Sequence, residues 1–200
     1  MDMILNESDS SVAKDAIEIL IKGRNNEEKE KLLFEIVNDA ENFDVSYTAL
    51  KFMRNHDYLK EIALNTNNDG EIRAKAIDMV YDPVGRDRNR DVFLKDDDWR
   101  VRYAMINMAT GEKTLMGIVN DDADDRVRAK ALRHIDTQEF LYDFALGEDN
   151  LALVFYAINT MRNTDLLRKI CEARDDDLIK ACACDRIAFL EADVAVLGLW

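Results

Sequence analysis

The chain has 200 residues, of which 48% are hydrophobic, enough to bury a substantial core and too apolar for disorder. One proline and seven glycines argue against turn-rich β architectures and for helices joined by short loops. A formal net charge of -14 opposes binding to nucleic-acid phosphates or anionic membranes, and no apolar run approaches the length of a membrane span.

"MDMILNESDS" is too short and too acidic for a signal peptide. The first patterned word, "VAKDAIEIL" from Val12, predicts a helix with Val12, Ala16, Ile17 and Leu20 on one face. Leu33 and Ile36 mark a second helix, "VSYTALKFM" from Val45 a third, and Leu59 with Ile62 a fourth. Next comes "NTNNDGEIRAKA", residues 65–76, in which Asn65, Asn67, Asp69, Gly70 and Ile72 fall at EF-hand loop positions. The final position, which needs a bidentate Glu, is Ala76, and Arg73 stands where a ligand or its water belongs. "NDG" therefore reads as a helix cap leading into "IRAKAIDMV" from Ile72.

The insertion "DPVGRDRNRD" follows, with the lone Pro83 and with Arg86, Arg88 and Arg90 alternating with Asp87, Asn89 and Asp91. It is either an added binding loop or a plain solvated one. "KDDDW" introduces "VRYAMINMA" from Val101, and Leu115 with Ile118 precedes "NDDADD" and "VRAKALRHI" from Val127. Leu141 with Phe144 precedes "LVFYAINTM" from Leu153, and Leu167 with Ile170 precedes "RDDD" and "IKACACDRI" from Ile179. "EADVAVLGLW" predicts a separate C-terminal helix over 191–200, ending in Leu197, Leu199 and Trp200, which caps the last repeat or joins a second copy.

The words are one repeat. They start at 12, 45, 72, 101, 127, 153 and 179, with spacings of 33, 27, 29, 26, 26 and 26. The fifth column is Ala16, Ala49, Ala76, Met105, Ala131, Ala157 and Ala183; the sixth is Ile17, Leu50, Ile77, Ile106, Leu132, Ile158 and Cys184. Apolar residues at i, i+4, i+5 and i+8 form one helical face, and the small Ala admits a close neighbour. Asp136 with Glu139 predicts a capping box, Thr110 and Asn163 predict caps, and the acid clusters fall where a helix N-terminus favours them.

A unit of Asp-x-x-hydrophobic-Arg-x-x-Ala, followed by a short helix with Leu-x-x-Ile, resembles the HEAT-like repeat family. Its nearest variants are the short repeats of phycobilisome lyases and of leucine-rich repeat variant proteins. The resemblance runs from about Ser10 to Phe189 and is strongest over residues 98–187. It implies an all-α fold, an α-α superhelix (solenoid) of about seven helix pairs in one domain over 1–200. The Ala-bearing helices would line a concave face that binds a protein or peptide, making the chain a scaffold or adaptor. The resemblance also allows an enzyme, bilin-lyase-like or DNA-glycosylase-like. A third alternative is a self-assembling repeat protein, monomer or homodimer through its C-terminal helix.

Second positions of the Ala-bearing helices read Ala13, Ser46, Arg73, Arg102, Arg128, Val154 and Lys180, with Lys75, Lys130 and Arg133 nearby. Either this basic column grips a carboxylate-rich or phosphorylated partner, or each Arg pairs with a turn acid of its own or the adjacent repeat. Tyr103 and Tyr156 lie outside the apolar columns and offer interface anchors; Trp99 is expected to staple its turn to the core. The candidate partner-binding set is Arg73, Arg102, Tyr103, Arg128, Lys130, Tyr156 and Lys180. Cys182 and Cys184 point to different sides of a helix, Cys184 in a core column, while His56 and His134 have no paired ligand, so no metal or cofactor is expected. Cys171, Cys182 and Cys184 form no disulfide framework, and a reduced, cytoplasmic setting fits.

Overall fold

Asparagine and aspartate start most of the helices. The structure, a computed structural model, describes residues 10–80, 89–106 and 110–197, with side chains for 11–80, 89–106 and 110–192. These residues form helices joined by turns, with no strand among them. The chain divides into two compact units, Met1–Met105 and Ile106–Trp200.

The first unit holds α1 (Ser10–Ile21), α2 (Asn26–Asp39), α3 (Phe43–Phe52), α4 (His56–Leu64), α5 (Gly70–Val80), α6 (Arg90–Phe93) and α7 (Trp99–Met105). In it α2 packs on α3 and α4, α3 on α1, and α5 on α4 and α7. The second unit holds α8 (Glu112–Asp121), α9 (Asp125–Leu132), α10 (Gln138–Gly147), α11 (Leu151–Thr160), α12 (Thr164–Ala173) and α13 (Asp177–Leu197). Here α9 packs on α8 and α11, α10 on α11 and α12, and α13 on α11 and α12. Within each unit the main partners of a helix are thus its neighbours one and two places along the chain.

Side chains that accept backbone N–H bonds explain where helices begin. Asn25, Asn42, Asn55, Asn150 and Asn163 cap α2, α3, α4, α11 and α12, each accepting from an N–H two or three residues on. Asp69 accepts from Glu71 N–H at 2.7 Å, the cap read from "NDG", and Asp98, Asp124 and Asp176 do the same for the later acid clusters.

All seven repeat starts lie inside helices. Val45, Ile72, Val101, Val127, Leu153 and Ile179 are buried, as are Ala49, Ala76, Met105, Ala131, Ala157 and Ala183 of the fifth column. Val12 is the exception at 48% exposed. The first helix, which packs on α3, is rolled so that Ala13 and Ile17 are its fully buried residues. Cys184 is also exposed rather than core. Ile118 is half-buried, and Val119 takes the interior position beside Leu115.

Two helices start one residue later than the expected caps imply. Helix α8 starts after Gly111, with Thr110 buried one residue earlier, and no side chain caps the Thr137 start of α10. The reason at α10 is an acceptor from the preceding helix pair: Glu112 Oε1 receives the N–H groups of Asp136 and Thr137 at 2.8 and 2.7 Å. The same device recurs. Gln138 Oε1 accepts from Arg162 and Asn163 at 2.6 and 3.0 Å, and the buried Glu30 accepts from Arg54 and Asn55 at 2.9–3.0 Å. Glu30, Glu112 and Gln138 each stand three residues before the buried Leu of their helix (Leu33, Leu115, Leu141), so the same register position makes all three of these links.

The expected separate helix over 191–200 is instead the end of α13, which runs unbroken to Leu197. Nothing between Phe189 and Leu197 breaks a helix; the first glycine is Gly198. The side chain of Leu197, and Leu199 and Trp200, lie outside the described residues, as does the 81–88 part of the insertion.

Gly70 opens α5 against the Asp98 side chain, and a Cβ there would overlap that carboxylate. Helix propensity alone predicts that Gly70→Ala gains about 1 kcal/mol. The expected result is the opposite, a loss of about 1–2 kcal/mol in urea unfolding, because Asp98 must abandon its cap on Arg100 N–H.

Candidate functional site

Arg73 and Arg128 of the basic column are turned inward. Arg73 and Asp96 side chains are 6% and 8% exposed, and the guanidinium grips the carboxylate with both terminal nitrogens, Nη1 donating to Oδ1 at 3.1 Å. Arg73 Nε donates to the Ala63 carbonyl at 3.1 Å, in the last turn of α4. Arg128 does the same in the second unit: Nε donates to the Val119 carbonyl of α8 at 2.7 Å and Nη2 pairs with Glu148. Arg102 Nη1 donates to the Asp96 and Asp97 carbonyls at 2.8 and 3.0 Å. Each arginine therefore satisfies carbonyls left over at or just beyond the end of the preceding helix, where a cation is favoured by the dipole, and Arg73 and Arg128 also reach a turn acid. Of the two readings of this column, turn pairing describes Arg73 and Arg128.

Val154 breaks the column, and Arg174 from the turn after α12 replaces it, donating to the Leu146 carbonyl at 2.8 Å. Burial raises the Glu148 pKa, but the Asn150 N–H and the Arg128 guanidinium outweigh it and hold the carboxyl below its ordinary range. The Thr137 N–H likewise lowers Glu112. Burial, then Lys130 and Arg133, push His134 down.

The other candidate residues are spread out. Lys180 Nζ lies 3.6 Å from Asp175. Lys130 and Tyr103 are half-buried, and Tyr103 meets Trp99 edge-on at 6.2 Å. Trp99 is the first residue of α7, with Arg100 over its ring. Tyr156 is half-buried, accepts from Arg133 Nε at 3.0 Å and lies beneath that guanidinium. Among the described residues no group of three or more His, Cys, Asp or Glu gathers as a metal site, and no helix is long and apolar enough to cross a membrane.

A groove lies elsewhere, between α1 and α3, both Ala-bearing helices. Val45, Ala49 and Leu50 point α3 inward, which leaves Phe43, Tyr47 and Lys51, at i, i+4 and i+8, on the opposite stripe. Phe43 is 38% exposed and stacks on Tyr47 with centroids 5.5 Å apart; Lys51 Nζ lies 4.2 Å from the Tyr47 centroid. This stripe, Phe52 and Asp44 border a groove of about 640 Å³, and Lys14 of α1 stands on its far side, 3.8 Å from Glu18. An aromatic floor flanked by two ammonium groups suits an apolar anchor with a carboxylate beside it. A smaller cavity of about 370 Å³ beside Phe140 and Phe144 is walled by the Arg128–Glu148 pair, whose charges already satisfy each other.

Phe43 and Tyr47 are not among the aromatic residues expected from the sequence, which are Trp99, Tyr103 and Tyr156. The available signal was a Phe-x-x-x-Tyr-x-x-x-Lys stripe opposite the apolar columns. Compared with protein-family models, curated proteins and solved structures, the chain matches none.

Proposed function

We propose that this protein is a non-catalytic α-solenoid that holds a protein or peptide partner on its Ala-bearing helices, as a scaffold or adaptor. The observation that carries the reading is the Phe43–Tyr47–Lys51 stripe bordering the groove of about 640 Å³. Packing of helices on neighbours one and two along the chain supports the repeat architecture. The catalytic alternative drew on Arg102 and Arg128; both are engaged by carbonyls or carboxylates of the turns, which weighs toward binding. The partner segment is acidic with an aromatic or aliphatic anchor. At physiological salt the chain's net negative charge is screened beyond about 8 Å, so a ligand in the groove meets Lys14 and Lys51 together with the nearby Glu18 and Asp44.

The test is selection from a displayed library of random peptides, counter-selected on Lys14→Glu/Lys51→Glu. Enrichment of peptides pairing an apolar anchor with Asp or Glu is the expected outcome. Selection yielding nothing that prefers the wild type over the variant would overturn the reading.

A further inference from the structure

Cys171 of α12 and Cys184 of α13 face each other, with Sγ atoms 3.5 Å apart and 13 positions apart in sequence. Cys184 is exposed and Cys171 half-buried. Cys182, two residues away, turns to α11, where Asn159 Nδ2 donates toward its Sγ at 3.9 Å. Three cysteines allow three pairings, and this contact selects one.

We infer that Cys171 and Cys184 are a peroxide-sensitive dithiol that closes to an intramolecular disulfide, fastening α13 to α12. The sulfurs need to approach by only about 1.5 Å to reach bonding distance. The order of events follows from exposure. Burial, then the neighbouring Cys184 thiol, raises Cys171 to about 11, so Cys184 is the sulfur that meets the oxidant first.

Its thiolate attacks one peroxide oxygen, the O–O bond breaks, and a sulfenic acid forms as hydroxide leaves and is protonated to water. The Cys171 sulfur, giving up its proton, then attacks the Cys184 sulfur. The S–O bond breaks, the S–S bond forms, and a second water leaves. Two thiols lose two electrons and two protons, and hydrogen peroxide becomes two waters. The closed form ties down the helix that exposes Leu178 and Phe189 to 61% and 56%.

The experiment uses the full chain carrying Cys182→Ser, treated with hydrogen peroxide, denatured, alkylated and weighed. The expected product is lighter by two hydrogens, monomeric, free of alkyl groups, and returned to two alkylatable thiols by dithiothreitol. Two thiols surviving peroxide, or Cys184 carried to sulfinic acid with Cys171 still alkylated, would overturn the proposal. Should that variant fail to fold, the wild-type chain is oxidised and digested without reductant. Cross-linked peptides must then join Cys171 to Cys184; a Cys171–Cys182 or Cys182–Cys184 link overturns it.

Discussion

Asp96→Ala is expected to destabilise the N-terminal unit by about 3–5 kcal/mol, the cost of leaving a buried guanidinium without its counter-charge. The loss has two parts. Arg73 cannot swing into water, since its Nε is held by the Ala63 carbonyl, and Asp98 N–H also loses its bond to Asp96 Oδ1 at 3.0 Å. Urea unfolding in a Trp200→Phe background, followed by the fluorescence of Trp99 in the helix beginning three residues on, reports this unit. Arg73→Leu/Asp96→Leu should recover much of the loss, because no charge is then buried. An Asp96→Ala loss below about 1 kcal/mol would mean the pair behaves as a surface one.

Glu30→Ala has the next largest expected effect, about 2 kcal/mol, for a carboxylate that accepts two backbone N–H bonds at the start of α4. Glu30 is buried, and its negative charge sits at a helix N-terminus, where it is favoured. Glu30→Gln keeps an acceptor oxygen but not the charge and should cost about half as much, as Gln138 performs the same task natively. The same unfolding measurement separates the two variants. Equal stability of Glu30→Ala and wild type would show that water replaces the carboxylate without penalty.

The apolar columns were legible in the sequence because burial repeats with the helix. Val127, Ala131, Leu132 and Ile135 occupy the same face as Leu153, Ala157, Ile158 and Met161, and all eight are buried. Caps at Asp69, Asp124 and Asn163 were legible because they act two or three residues away. What escaped acts across a repeat. Glu112 reaches 24 and 25 residues ahead, and Arg174 donates 28 residues back, in place of the missing arginine at Val154. A polar residue read alone shows its charge but not which helix end it will satisfy. Val12 and Cys184 failed for another reason. Both sit on the first or last described helix of their unit, and on those helices Ala13 and Ile17, or Ile179 and Ala183, hold the interior positions instead.

The central claim is that the arginine column serves the fold and the Phe43–Tyr47–Lys51 groove serves the partner. The measurement that tests it most directly is the affinity of a library-selected peptide, by fluorescence anisotropy, for two folded charge-reversal variants. Lys14→Glu/Lys51→Glu alters the groove, and Lys130→Glu/Lys180→Glu alters the second unit's basic column at Lys180 and its neighbour Lys130. The account predicts at least about a tenfold loss for the first, some 1.4 kcal/mol, and little change for the second. Loss with the second variant and full binding by the first would contradict it and make the basic column the binding surface.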